Sequence, residues 1–170
     1  VTGGTDVEIY KTSWKIESVY GNDIDLFIQD KSGYYTWYAL QAKIMSYNGA
    51  YRDIKGSKKQ WELLADHERK YGSIAYYLLY NGKPRLRPPT INPNRSDCLG
   101  VPTIQELGLG IVKPDIVGNI RISKSGSSLF YFGDIYPDHI DSIRKIFCCK
   151  ATEDDMQTKY TRAQISTSGY

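Results

Sequence analysis

Two short runs carry the residue types that can work on a phosphate. Asp23 and Asp25 stand two apart in front of the apolar Leu26-Phe27-Ile28, and Gln41-Ala42-Lys43 lies near the end of a second run of bulky residues, 36–44. Side chains alternate across an extended chain, so Asp23 and Asp25 share a face, and Gln41 and Lys43 share a face with Ala42 opposed to them. A one-turn hairpin can bring the two pairs together. Hard oxygen donors of this kind hold Mg²⁺ or Mn²⁺, an ion that activates water and neutralises charge on a phosphodiester. A lysine beside them can orient the attacking water or stabilise the transition state as a point charge. The same residue types also suit the solvated polar face of an ordinary hairpin, and spacing by itself does not choose between the two.

The elements that must position these residues are read from periodicity. Trp14-Lys15-Ile16-Glu17-Ser18-Val19-Tyr20 alternates apolar and polar and stops at Gly21-Asn22, which predicts a strand entering a turn. Residues 25–29 begin a second strand, Asp30-Lys31-Ser32-Gly33 is a turn cluster, and 36–44 is a third strand, so three consecutive antiparallel strands are expected. Trp61, Leu64 and Ala65 recur at helical spacing and predict a helix over 57–70, ended by Tyr71-Gly72. The almost wholly apolar Ile74–Tyr80, bounded by Asn81-Gly82, reads as a buried strand. Strands, a crossing helix and another buried strand predict a single α/β domain with a mixed sheet and at least one helical layer.

Beyond this core, residues 83–102 hold five of the seven prolines together with Lys83, Arg85, Arg87 and Arg95, and read as a long surface loop. A short helix is expected at 103–107 and strands at 116–122 and 128–132. Pro137-Asp138 should open a helix carrying Ile140, Ile143, Ile146 and Phe147, with Arg144 and Lys145 near its end. The polar tail from Ala151 is expected to pack loosely. The sequence begins at Val1 rather than Met, with no basic-then-apolar leader, so a truncated start is expected, with any acid on a preceding helix lying outside it.

An acid on one strand, Gln41-Ala42-Lys43 on the next, then a helix and a strand, resembles the core of the PD-(D/E)xK, or restriction-endonuclease-like, nuclease superfamily. Gln in place of the acid is similar to the variant found in Mrr-like endonucleases. The resemblance covers residues 14–82. It implies a restriction-endonuclease-like mixed sheet flanked by helices, with Asp25 as principal metal ligand, Gln41 as a second ligand through its amide oxygen, Lys43 as catalytic lysine and Asp23 as the rival to Asp25. Glu17, read on the preceding strand, and Glu8 are candidates for the superfamily's additional N-terminal acid, and Gln60 matches a glutamine often found on the helix facing the site. The implied activity is Mg²⁺- or Mn²⁺-dependent hydrolysis of DNA, with RNA left open, in restriction, defence or a toxin-like role, and a homodimer is among the implied partners. The chain departs from the pattern in lacking Pro before the acid and in the neutral glutamine, which weakens cation binding. A catalytically inactive module that binds nucleic acid or a protein is therefore the alternative, and an unrelated interaction domain is a third reading.

Tyr47, Tyr51, Arg52, Lys55, Lys58 and Lys59 follow the Gln-x-Lys strand and mix aromatic with basic groups that can grip phosphate and stack on bases, or line a solvated loop. His67 and His139 are both expected at the surface, too few and too isolated for histidine-based hydrolysis. The three cysteines, two of them adjacent, suit buried or inert thiols in a reducing, cytoplasmic setting. Phosphate-loop, serine-hydrolase-elbow and zinc-protease motifs do not occur. With 22 basic against 19 acidic residues spread over both halves, no tail announces nucleic acid. The aromatic content of 13% argues against wholesale disorder, and no apolar run approaches the length of a membrane span.

Overall fold

The computed structural model describes residues 6–52, 54, 59–82, 107–124, 129–148 and 158–167. Its framework is a six-stranded mixed sheet in the order β1(Val7–Lys11), β2(Ile24–Gln29), β3(Tyr35–Ile44), β5(Ile74–Tyr80), β6(Leu109–Val112), β8(Asp141–Ser142). β1, β2 and β3 form an antiparallel meander, α2(Gln60–Tyr71) crosses over, and β5 returns parallel to β3. β6 and β8 then add antiparallel strands. The expected α/β mixed sheet, the helix after β3 and the buried strand at 74–80 are all present. A small two-stranded sheet pairs β4(Ala50–Tyr51) with β7(Phe130–Tyr131).

Strand parity divides the core. Ala39, Ala75, Tyr77 and Leu79 face α2 and α3(Pro114–Ser123), packing with Trp61, Leu64 and Val117. Leu26, Tyr38, Leu40 and Leu78 point to the opposite face, where they meet Ile146 of α4(Arg144–Cys148). Close approach of α3 to α2 depends on Gly118, where an added Cβ would lie 2.6 Å from the Trp61 ring.

Several elements differ from the sequence reading. Residues Trp14–Tyr20 are a helix, α1, rather than a strand. Ser13 stands at its N-cap position, Glu17 lies in its first turn, and Gly21 ends it in the left-handed region (φ 77°), donating its N–H to Glu17 O at 2.7 Å. The strand that completes the meander is Val7–Lys11, an alternating segment that the sequence reading passed over. Gly21-Asn22 is consequently a helix stop rather than a hairpin turn.

The strand expected at 116–122 is α3. Pro114 at its start and Asp115 in its first turn are helix-opening signals that outweigh the β-branched content. Of the strand expected at 128–132, the described residues hold Phe130–Tyr131 as strand, followed by a 3₁₀ turn at Phe132–Asp134; residue 128 lies outside the described residues. The helix expected from Pro137 starts only at Arg144, because Asp141 and Ser142 pair with Ile111 and Gly110. That extended passage lets Ile140 join the α2-side core while Ile143 joins the other face.

Within the tail, residues 158–167 are more firmly attached than expected. Tyr160 exchanges backbone hydrogen bonds with Tyr35 at 2.8 and 3.0 Å, Lys159 pairs with Asp30 at 2.7 Å, and α5(Arg162–Thr167) buries Ile165 against Phe27, Tyr35 and Trp37. The expectations for 83–102 and 103–106, and for Cys98 and Cys149, lie outside the described residues.

Candidate active site

The β2–β3 register places Asp25 opposite Ala39, and its continuation places Asp23, just ahead of β2, across from Gln41. The parallel β3–β5 register sets Gln41 beside Tyr77 and Lys43 beside Leu79. Asp23, Asp25, Gln41 and Lys43 therefore share the sheet face that α2 covers, as strand alternation requires.

Asp23 is the carboxylate that meets the Gln-x-Lys strand. Its Oδ2 accepts hydrogen bonds from Gln41 Nε2 at 2.5 Å and from the Ala42 backbone N–H at 2.9 Å. The β2 strand has ended at this level, so the carboxylate supplies an acceptor for Ala42 beyond the last ladder pair. Glu17 of α1 stands close enough for its charge to act on Asp23. Burial pushes the Asp23 carboxyl up to about 6, opposed by the Ala42 N–H; the Glu17 carboxylate raises it further, and the positive charge of Lys43 pulls it down.

Gln41 and Lys43 are buried, at 1% and 8% exposure. An ionised carboxylate only accepts hydrogen bonds, so the Gln41 amide nitrogen must face Asp23 and its oxygen must point away. That oxygen, Oε1, is buried without a hydrogen-bond partner among the described residues. Two carboxylates, a carboxamide oxygen and an ammonium thus come together from α1, the mouth of β2 and the end of β3. The acids and the carboxamide fit a hard cation chemically. Among the described residues, no three His, Cys, Asp or Glu side chains group so as to hold a metal ion, so the carboxamide would have to complete the donor set.

Asp25, the leading acid of the sequence reading, lies one same-face register pair away from Gln41. It is fully buried, and its Oδ1 accepts from Trp37 Nε1 at 2.5 Å and from Asn22 Nδ2 at 2.9 Å. Its register partner is Ala39, on the same sheet face as Gln41 and one pleat away from it. Asn22 and Thr12, which sequence reasoning missed, hold the Asp23 backbone. Thr12 Oγ1 donates to Asn22 O at 2.6 Å, and Thr12 N–H donates to Asp23 O at 2.9 Å. The available signal was Asn22 itself, a residue able to bond locally immediately after a helix-ending glycine.

Glu17 reaches the cluster from a helix rather than from a strand. Glu8 does not: it accepts from Tyr10 Oη at 2.5 Å and pairs with Arg162 at 3.3 Å. Tyr51, a proposed stacking residue, is fully buried in β4 and donates to Asn81 Oδ1, so its ring is closed to a substrate. Arg52, Tyr47 and Lys59 are exposed, and Lys59 pairs with Glu62 at 3.2 Å. Gln60 opens α2 beside the α1 stop, with its carbonyl 3.2 Å from where a Gly21 Cβ would stand. Lys55 and Lys58 lie outside the described residues.

His139 is exposed, as expected, but His67 is not. It is buried on α2 against Trp37, Tyr71 and Tyr20, with Nδ1 2.7 Å from Ser73 Oγ. Burial, helped by the Lys70 charge, lowers its pKa to about 4. It lies on the stripe of Trp61, Leu64 and Tyr71, a helical spacing that was visible in the sequence.

Among the described residues, no helix is long and apolar enough to cross a membrane. Over residues 1–168 the chain matches a family described as a family of unknown function, DUF6615. No curated protein and no solved structure matches it.

Proposed function

We propose that this protein, which belongs to the DUF6615 family, is a divalent-metal-dependent nuclease with a restriction-endonuclease-like core. The observation that carries the reading is the Gln41 side chain. Its nitrogen is committed to the Asp23 carboxylate and its buried oxygen has no hydrogen-bond partner among the described residues, an arrangement that costs stability unless something accepts that lone pair. A hydrated Mg²⁺ or Mn²⁺ held by Asp23, Glu17 and Gln41 Oε1 would do so. When bound, such an ion supplies positive charge to polarise a phosphate and to acidify water.

The chain's own residues supply the rest. Lys43, on the same sheet face, offers its ammonium to the charge that develops on phosphate oxygens. Glu17 and Asp23 give the ion its formal negative charge, and the Ala42 N–H with the Gln41 Nε2 fixes the Asp23 carboxylate in place. The antiparallel meander, crossover helix and parallel return strand support the restriction-endonuclease-like core, with Asp23 in place of Asp25 as the leading acid. DNA is the proposed substrate, the exposed Arg52 and Lys59 are proposed phosphate contacts, and a reducing cytoplasmic setting is proposed from the cysteine content.

One observation favours the second reading, a nuclease-fold module that binds nucleic acid without cutting it. Gln41 adds no charge and one Asp23 oxygen already accepts two hydrogen bonds, which weakens the site for a cation. Plasmid DNA incubated with the protein and Mg²⁺ or Mn²⁺ separates the two. Nicking that EDTA and Lys43→Ala both abolish supports the nuclease. Salt-sensitive binding with no cleavage under either ion supports the binding module, and neither activity overturns both.

A further inference from the structure

We infer that the outer edge of β1 is a self-association surface that joins two copies of this chain through antiparallel β1–β1 pairing. This inference is independent of the nuclease reading. Antiparallel ladders alternate between pairs whose backbone groups bond each other and pairs whose groups point away. Gln29 N–H donates to Asp6 O and Thr12 N–H to Asp23 O, both at 2.9 Å, so the even-numbered residues from Asp6 to Thr12 bond β2. The N–H and C=O groups of Val7, Ile9 and Lys11 consequently face outward. β1 is the terminal strand of the sheet, and among the described residues no strand pairs with that side.

The same odd-numbered residues place their side chains on one sheet face, where Val7 is 41% and Ile9 67% exposed. Soluble proteins usually blunt such edges with proline, a bulge, short length or charge, lysine above all; Val7-Glu8-Ile9-Tyr10-Lys11 is short but has no proline, pairs with β2 in unbroken register, and carries its one outward-facing charge, Lys11, at its end.

The strand is also complementary to itself. A two-fold axis normal to the sheet requires residues of equal parity to face one another, and the outward groups restrict the choice to odd residues. Centring the axis on Ile9 pairs it with Ile9 of the partner subunit, and Val7 with Lys11 of the partner subunit. Each of these pairs can exchange two N–H···O bonds. The acidic end of one strand, Asp6 and Glu8, then lies toward the basic end of the other, Lys11, so no like charges meet directly. Centring on Lys11 would oppose two lysines, and centring on Val7 would leave Lys11 beyond the paired segment. The occupant is therefore a second copy of β1, making one continuous sheet through the dimer.

Sedimentation equilibrium over a wide concentration range, combined with hydrogen exchange on the full chain, tests this. A monomer–dimer equilibrium is expected. Ile9→Lys, which opposes two charges at the axis, and Ile9→Pro, which removes an N–H that β2 does not use, should each weaken it by roughly tenfold or more with unchanged far-ultraviolet dichroism. In the unmodified protein, the Glu8 and Tyr10 amides should be protected at every concentration, whereas those of Val7, Ile9 and Lys11 should gain protection only as dimer forms. A protein that stays monomeric at millimolar concentration, a dimer that both variants leave intact, or odd-numbered amides that exchange freely in the dimer would overturn the inference.

Discussion

Asp23 and Asp25 have the same chemistry and share one sheet face, yet their surroundings assign them opposite tasks. Asp25 is enclosed and accepts from two buried donors, Trp37 Nε1 and Asn22 Nδ2, so it holds the strand mouth together. Asp23 is half-buried, close to the Glu17 carboxylate, and destabilised as an anion. Replacing each therefore has a different expected outcome. Asp25→Ala strands two buried donors and should lower unfolding stability by about 3 kcal/mol in urea denaturation. Asp23→Asn should leave stability near that of the parent while abolishing Mn²⁺ binding measured by calorimetry. If Asp25→Ala is harmless and Asp23→Asn unfolds the chain, the roles assigned here are reversed. The sequence made both acids visible and could not rank them, because the ranking depends on which residue of β3 faces each, and register is a tertiary quantity.

At the scale of elements, the site depends on a helix stop. Gly21 ends α1 with φ 77°, and an added Cβ there would lie 2.9 Å from Leu63 Cβ, so both backbone conformation and space exclude a side chain. The Gly21→Ala variant should lose about 2 kcal/mol from left-handed strain and from the clash with α2. It should also displace Glu17, which sits one turn earlier, and weaken Mn²⁺ binding in parallel with the stability loss. Unchanged affinity in a destabilised Gly21→Ala would separate Glu17 from the proposed cation site. This junction was half legible. Gly21 was recognised as a stop, but seven residues of Trp-Lys-Ile-Glu-Ser-Val-Tyr satisfy a two-residue and a helical period about equally, and only contact with α2 decides between them. The α3 segment was misread for the related reason that Ile116, Val117, Ile120 and Ile122 look strand-like until Pro114 is given its weight. The α2 and β5 segments were legible because a long amphipathic stripe and a long apolar run each admit one reading.

Across the whole molecule, Asp23 and His67 make stability depend on pH in opposite directions. His67 is buried among Trp37, Tyr71 and Tyr20, where α1, α2 and β3 meet, and its pKa is lowered to about 4. In the unfolded chain it would protonate near 6.5, so its contribution is complete above that value and is lost as acidification proceeds toward 4. Asp23, raised to about 6 from 3.8, does the reverse: its contribution is complete below 3.8 and is lost as pH rises through about 6. Each slope is at most about 1.4 kcal/mol per pH unit, and the half-buried Asp23, screened by solvent, has the smaller one. Between pH 4 and 6 the two largely offset one another in the native protein. Urea titrations in that window should show His67→Phe gaining stability, relative to the native protein, as pH falls, and Asp23→Asn losing it, with the larger change in His67→Phe. Parallel stability curves for the native protein and His67→Phe would mean that the ring is protonated inside the fold. That result would contradict the sealed aromatic junction through which α1, and with it Glu17, is tied to α2 and β3.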